Sequence, residues 1–415
     1  MSETLALLTA NVPGTGGQIK LHDTDFVVEE VPLYEAGGTG SHTYAFIEKR
    51  GIGTREAIDR IARAVGVPGR HVGSAGLKDV HAVTRQWISI EHVGPERFAK
   101  LDLPNISILD VTRHTNKLKP GHLAGNRFIV RLRQMTMPIA EAVRTAEQVL
   151  AILAQKGLPN YFGPQRFGNR DDNHLLGKAV IRDDAQAFVN LFLGSAQEEI
   201  DSPATVRART LYDEGHYQEA LSAWPGQQQE QCRALRALVK SQGDKKRAYY
   251  AVDKHLKGFF VSAYQSEVFN RVLAARMPAI NALLLGDMAY KHVNGASFTV
   301  EDPVVEQPRC ERFEISPTGP LFGQRTKRLT GPAGDIENPI LETEGLGEDQ
   351  FRQMKRLGAR GGRRPLRVQP KNANVAPGED DSGPYLELRF DLPPGSYATT
   401  LITEITKTRP AVGNG

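Results

Sequence analysis

The sequence predicts an α+β protein in which one strand-rich domain is interrupted by a more helical insert. Segments of strand period fill the first third of the chain and return after about Gly362. Between Asn160 and about Gly362 the texture is longer helical stretches joined by Gly- and Pro-rich loops. Length agrees, since 415 residues hold about two domains at roughly 100–200 residues each.

Taken in order, Phe26–Val31 and Thr43–Ile47 alternate with period two and read as strands. Thr54 can cap a helix whose apolar stripe is Ala57, Ile58, Ile61 and Val65, ended by Gly66 and Pro68. Val83–Ile90 and Ile106–Val111 read as further strands. Phe128, Val130 and Leu132 then alternate with Arg127, Ile129, Arg131 and Arg133, a strand with one apolar and one basic face. A helix follows through Ala142, Ala146, Val149, Leu150 and Leu153, stopped by Gly157 and Pro159. At the far end Pro365–Pro370, Tyr385–Leu392 and Ala398–Ile405 read as strands. Asn372–Gly383, polar and rich in breakers, reads as a mobile loop. The expected division is 1–157 and 363–415 for the interrupted domain and 158–362 for the insert, with no internal repeat.

Two cysteines, Cys232 and Cys310, form no CxxC pair, and the 11 histidines include no HExxH, so neither a disulfide framework nor a metal site is expected. This cysteine usage points to the cytoplasm. No apolar run approaches the roughly 18 residues of a membrane span, and no basic cluster precedes Leu5–Leu8, so no membrane segment or signal peptide is expected. Net charge is only +4, too mild for a protein that grips nucleic acid all over. It is concentrated in three stretches: Arg113–Arg133, Lys245–Arg247 running into Tyr249 and Tyr250, and Arg352–Lys371. One such run is ordinarily a solvated face; three in a nearly neutral chain favour RNA or DNA.

The stretch Gly73-Ser74-Ala75-Gly76-Leu77-Lys78-Asp79 is neither a P-loop, which needs Gly before Lys and Ser or Thr after, nor a nucleophile elbow, which needs Gly where Val72 stands. Gly14-Thr15-Gly16-Gly17 precedes no helix and reads as a turn. What remains is a set of polar blocks. Asp79 lies in a glycine-flanked turn beside Lys78, with Thr84 and Gln86 on one face of the strand that follows. That is the pattern of a positioned carboxylate with polar orienters, and equally of an aspartate that closes a turn. Lys117, Gly121, Gly125, Asn126 and Phe128 form a second block. Asn160–Gly168 packs three aromatics with Asn160, Gln165 and Arg166, a composition suited to stacking and reading an unstacked base, or to a tight buried loop. A fourth, Ser262–Ser266 with Phe269 and Asn270, falls on a helix.

In this order and spacing, with Asp25-Phe26 and Glu29-Glu30 at the start, Ser316–Pro320, and Leu392–Thr399 near the end, the blocks resemble the TruD family of tRNA pseudouridine synthases over nearly the whole chain. The resemblance implies a pseudouridine-synthase-like core with a mixed, largely antiparallel sheet flanked by helices, interrupted by an inserted α/β (TRUD) domain. It implies isomerisation of uridine, at position 13 of tRNA, without cofactor or metal. Asp79 takes the place of the family's catalytic aspartate. Phe26, Asn126 and Phe128 match positions lining the target nucleotide, and Tyr397 stands where bacterial members can have Phe. Lys78, Thr84, Gln86, Lys117, Asn160, Gln165 and Arg166 are supporting candidates. A non-catalytic RNA-binding module would make Asp79 dispensable, and a methyltransferase would need a nucleotide-cofactor loop that the sequence lacks.

Overall fold

The computed structural model describes residues 6–408 except His81 and Ala99. The start of the chain, on which the absence of a leader was read, lies partly outside them. The chain divides into two compact units, one formed by 7–159 with 368–408 and the other by 160–367.

In the first unit, β1 (Gly16–Gln18), β2 (Phe26–Pro32), β3 (His42–Arg50), β4 (Val72–Ser74), β5 (Val83–Glu91), β6 (Ile106–His114) and β7 (Leu123–Met135) share one sheet with the hairpin Lys371–Asp380/Gly383–Leu392. The order across it is hairpin, β7, β2, β5, β3, β6. Only the β2–β5 pair is parallel among the described ones, so the sheet is mixed and largely antiparallel.

Paired residues on neighbouring strands face the same side, which sorts the sheet into rows. One row runs Lys49, Thr84, Val28, Phe128, Phe390. The row beside it runs Glu48, Arg85, Glu29, Arg127, Asp391 and faces the other way. The first face is the core side. Ala45, Ile47, Ile88 and Ile90 pack under the helix Thr54–Ala64 through Ala57 and Ile61. Val130, Leu132, Leu386 and Leu388 are fully buried on the same face, and the helix Ile139–Lys156 packs on the hairpin.

The opposite face corrects the reading of β7 as a basic surface. Its arginines alternate with carboxylates along the row: Arg85 lies 2.9 Å from Glu48 and 3.3 Å from Glu29, and Arg127 lies 3.6 Å from Glu29 and 2.9 Å from Asp391. Arg131 pairs with Asp380 and Glu387, and the buried Arg133 with Asp25 and Asp380. Sequence neighbours carry no acid here; cross-strand neighbours do.

Two elements near the C-terminus also differ from expectation. Asn372–Gly383 is not a mobile loop but most of a hairpin arm and its turn, with Asp380 tied to Arg131 and Arg133. Ala398–Thr406 is a helix, not a strand. Its β-branched residues suit a strand, but Leu401, Ile402 and Ile405 are buried at helical spacing. The Glu404 carboxylate accepts from the backbone N–H groups of Leu8 (2.8 Å) and Thr9 (3.0 Å), pinning that geometry.

The second unit is mainly helical, with the helix Lys254–Ala275 at its centre and a four-stranded antiparallel sheet of Ser297–Thr299, Met288–Lys291, Ile315–Leu321 and Gly362–Pro365. The strand Gly362–Pro365 thus pairs inside the insert. Half of the eight basic residues in the stretch Arg352–Lys371 are also engaged within the protein. Arg352 pairs with Asp349 and the buried Arg363 with Glu337. Arg364 donates to Asn160 and lies 4.2 Å over the Phe162 ring, and the fully buried Arg367 donates to the Cys310 carbonyl. Among the described residues no helix is long and apolar enough to cross a membrane.

Candidate active site

The site begins with an opening in the sheet. β3 covers one edge of β5 along its whole length, but the other edge is shared. β2 pairs with it at Val83–Arg85 and β4 at Ile88–Ile90, leaving that edge open at Gln86 and Trp87. Glu30 fills the opening: its Oε1 accepts from the Trp87 backbone N–H at 3.4 Å. Its Oε2 lies 3.2 Å from Lys78 Nζ, both side chains almost wholly buried. Burial outweighs Lys78 and pushes the Glu30 carboxyl above its ordinary range. Lys78, placed beside Asp79 by sequence, is therefore spent on Glu30.

The loop from β4 to β5 carries Asp79, and two buried contacts hold it. The Lys78 N–H donates to Thr54 Oγ1 at 2.9 Å, and that hydroxyl donates to Gln86 Oε1 at 3.0 Å. Thr54 does not cap its helix, whose N-cap is Gly53; its hydroxyl serves the site. From beneath, Lys49 Nζ donates to the carbonyls of Asp79 and Ile52, each at 2.7 Å. Lys49 is fully buried, and burial pulls its ammonium down to about 8 against the opposing charge of Asp79. The Asp79 carboxylate, with its side chain 37% exposed, lies 3.6 Å from Lys20 Nζ.

Aromatic rings adjoin it. Lys20 Nζ lies 4.5 Å over the Phe26 ring, Phe26 meets Phe128 edge-on at 6.2 Å, and Phe128 stacks on Phe390 at 5.3 Å. Asn126 is paired across to Glu30 on β2. Tyr397 is the N-cap residue of the helix Ala398–Thr406.

This part of the sheet also holds buried polar atoms without a protein partner: Thr84 Oγ1, Gln86 Nε2 and Asn126 Oδ1, with Thr399 Oγ1 two residues beyond Tyr397. An unsatisfied buried polar group costs about 1–3 kcal/mol, so native folds keep few of them, chiefly where a ligand or water supplies the missing bond. Thr84, Gln86 and Asn126 share the core face with Ile88, Ile90, Phe128 and Val130, where packing alone would select Val or Leu.

The structure thus gathers Asp79, Lys78, Thr84, Gln86, Phe26, Asn126, Phe128 and Tyr397 in one compact unit. Lys117, in the same unit, is spent on the Arg70 carbonyl at 3.1 Å. Asn160, Gln165 and Arg166 belong to the other unit. There Asn160 Nδ2 donates to the Pro365 carbonyl at 2.9 Å, and Arg166 donates to Ser262 and Ser266 of the central helix. Tyr161 and Phe167 are buried, so the aromatics of this block are largely packing.

Three residues were missed by sequence reasoning. Lys49 and Glu30 were legible in principle, because each sits at a core position of an alternating strand, after Ala45 and Ile47 and after Phe26 and Val28. Lys20 lies in an irregular connection where no pattern marks it. Among the described residues no group of His, Cys, Asp or Glu is placed to hold a metal ion.

The fold that carries this clamped, partly exposed carboxylate resembles a solved structure of a tRNA pseudouridine synthase D (TruD) from Methanosarcina mazei. That structure superposes with a TM-score of 0.84 at 27% identity, covering 98% of this chain and 97% of its own. The family model for tRNA pseudouridine synthase D matches residues 4–405. The tRNA pseudouridine synthases D of Geobacter metallireducens and Geobacter sulfurreducens are 44% and 45% identical, over 98% of this chain and 99% and 97% of theirs. The chain belongs to the TruD family of tRNA pseudouridine synthases.

Proposed function

We propose that this chain isomerises uridine to pseudouridine in tRNA, at the position 13 expected from the family resemblance, with Asp79 as its catalytic carboxylate. The observation that carries the assignment is the Lys49 clamp: a fully buried ammonium is spent on fixing the backbone of one partly exposed aspartate. A buried lysine is costly, and a turn-closing aspartate needs no such support.

The reaction breaks the N1–C1′ bond of uridine and joins C1′ to C5, with no net redox change. Asp79 assists by adding to the substrate or by taking a proton from the sugar, and Lys20 offers its carboxylate a counter-charge. The target base must leave its stack, at a cost of a few kcal/mol, which one or two aromatic contacts of about 1–3 kcal/mol each offset. Phe26 and Phe128 supply such rings, and the family resemblance adds Tyr397. Thr84, Gln86 and Asn126 offer the unpartnered polar atoms that a bound uridine would satisfy. A tRNA substrate places the work in the cytoplasm.

The test is single-turnover pseudouridine formation on unmodified tRNA, read beside a binding isotherm. Asp79→Asn keeps size and removes charge, and is expected to abolish conversion while leaving tRNA affinity within a few fold. Asp79→Glu is expected to fail as well, because its extra methylene displaces a carboxylate whose placement matters on the ångström scale. Normal turnover in Asp79→Asn would remove the assigned role. Binding lost in step with rate would make Asp79 a structural turn residue, as the RNA-binding-module reading holds.

A further inference from the structure

A cavity of about 250 Å³ lies in the same compact unit, and neither Asp79 nor Phe26, Thr84, Gln86, Asn126, Phe128 or Tyr397 lines it. Its walls are aromatic: Tyr34, Tyr44, Trp87 and His122. The Tyr34 hydroxyl shares a 2.8 Å hydrogen bond with His122 Nδ1, and the Tyr44 hydroxyl donates to the Asn116 carbonyl at 2.9 Å. Their polar ends are thus spent on the protein, and what they offer a ligand is ring surface. Trp87 is braced by Phe46 at 5.0 Å and Tyr44 at 6.3 Å.

The lining also holds the carboxylates of Glu35 and Asp110, beside that of Glu30, whose oxygens already serve Lys78 and the Trp87 N–H, and neither lysine nor arginine is part of it. Glu30 joins the cavity to the catalytic loop, since the Lys78 that pairs with it precedes Asp79 in the chain.

We propose that this cavity binds a second unstacked base of the same RNA, one that carries an exocyclic amino group. The Glu35 and Asp110 carboxylates repel phosphate, so only a base would enter and its backbone would stay outside. The aromatic walls suit a flat heterocycle, and the volume falls below the roughly 300 Å³ at which drug-sized ligand pockets begin. Carboxylates accept from N–H donors, as when Asp or Glu reads the amino group of cytosine. A uracil edge, with two carbonyls and one N–H, is the poorer match, which separates this cavity from the uridine site. The proposal rests on the reading that RNA engages the Asp79 site.

The experiment is an abasic scan of the tRNA nucleotides around the target, with single-turnover rate and affinity measured for wild type, Trp87→Leu and Tyr34→Leu. Leucine keeps an apolar filling and removes the ring face, and a thermal melt of each variant checks the fold; Tyr34 lies in a connection, so its variant stands if Trp87→Leu does not fold. One abasic position is expected to cost wild type on the order of tenfold, the size of one stacking contact. Each variant is expected to lose a similar factor on intact tRNA and nothing further on that abasic RNA. Restoring an amino-bearing base there is expected to outperform uracil. Losses that multiply at every position, no sensitive position, or protection of the Trp87 fluorescence by spermidine alone with no base dependence would each overturn the proposal, the last in favour of an organic-cation cage. Those failures leave the Asp79→Asn result untouched, so they are distinguishable from failure of the catalytic assignment.

Discussion

The two faces of the sheet in the first unit follow opposite rules. On one, the charges from Glu48 across to Asp391 alternate in register and each finds a partner. On the other, a mostly apolar face is interrupted by Lys49, Thr84 and Gln86, of which Thr84 and Gln86 keep buried atoms unpartnered. A face that satisfies its polar groups is built for the fold. One that leaves them open bears a cost that a bound substrate would offset.

The comparison is most strongly tested at the closed end of the charged face. Arg133 and Asp25 are both buried and paired at 2.8 Å, with Asp380 at 2.7 Å. Arg133→Met leaves Asp25 buried without its partner, and removing one member of a buried pair costs about 3–5 kcal/mol. Denaturant unfolding should show that loss; one under 1 kcal/mol would mean this face contributes little to the fold. The same network sets an acid limb. The Arg133 hydrogen bonds hold the Asp380 carboxyl at about 2, below its unfolded value of roughly 3.9. Its contribution is therefore present above about pH 4 and lost as pH falls through 2. Asp380→Asn is expected to flatten that part of the melting-temperature profile.

On the site face the largest effect is expected at Lys49. Lys49→Met frees the carbonyl of Asp79, and a misplacement near 1 Å costs about 100-fold in rate. With its ammonium lowered to about 8, Lys49 is charged below that pH and loses its charge as pH rises through it. Wild-type turnover is expected to fall above about pH 8, on a limb that Lys49→Met lacks. A slow variant that retains the limb would assign the titration elsewhere.

Thr84→Val separates the two rules by a smaller margin. The substitution keeps the shape and removes a buried hydroxyl that has no protein partner, so stability is expected to stay level or rise by about 1 kcal/mol. Turnover should fall all the same. Lost stability with unchanged turnover would show that the hydroxyl serves the fold.

Strands β2, β3, β5, β6 and β7, the helix Ile139–Lys156 and the turn that holds Asp79 were legible because alternation, helical spacing and breakers are local signals, whereas the short β1 and β4 and the polar arm Lys371–Asp380 carry no such alternation. The partners were not. Nothing within ten residues of Arg127 announces Glu29 or Asp391, because register across strands decides those pairs. The helix Ala398–Thr406 was misread for a related reason: its β-branched residues favour a strand locally, and burial of Leu401, Ile402 and Ile405 with the Glu404 anchor overrides them. At the site, Asp79 was visible as a polar residue in a glycine-flanked turn, whereas Lys20 reaches it from an irregular connection.

Arg127 gives the smallest expected effect and tests the ladder where solvent reaches it. The side chain is 43% exposed and held between Glu29 and Asp391, and its hydrogen bonds to Asp391 raise its already high pKa. Exposed pairs of this kind contribute about 0–1 kcal/mol, so Arg127→Ala should barely move the unfolding free energy. The sharper readout is the salt dependence of tRNA affinity. A cation that meets a phosphate contributes roughly 0.7–0.9 to the slope of log affinity against log salt, through the counterions it displaces. One already neutralised by two carboxylates displaces few. Arg127→Ala is therefore expected to leave the slope within a few tenths of wild type. A drop close to a full unit would place a phosphate against Arg127 and overturn its assignment to the fold.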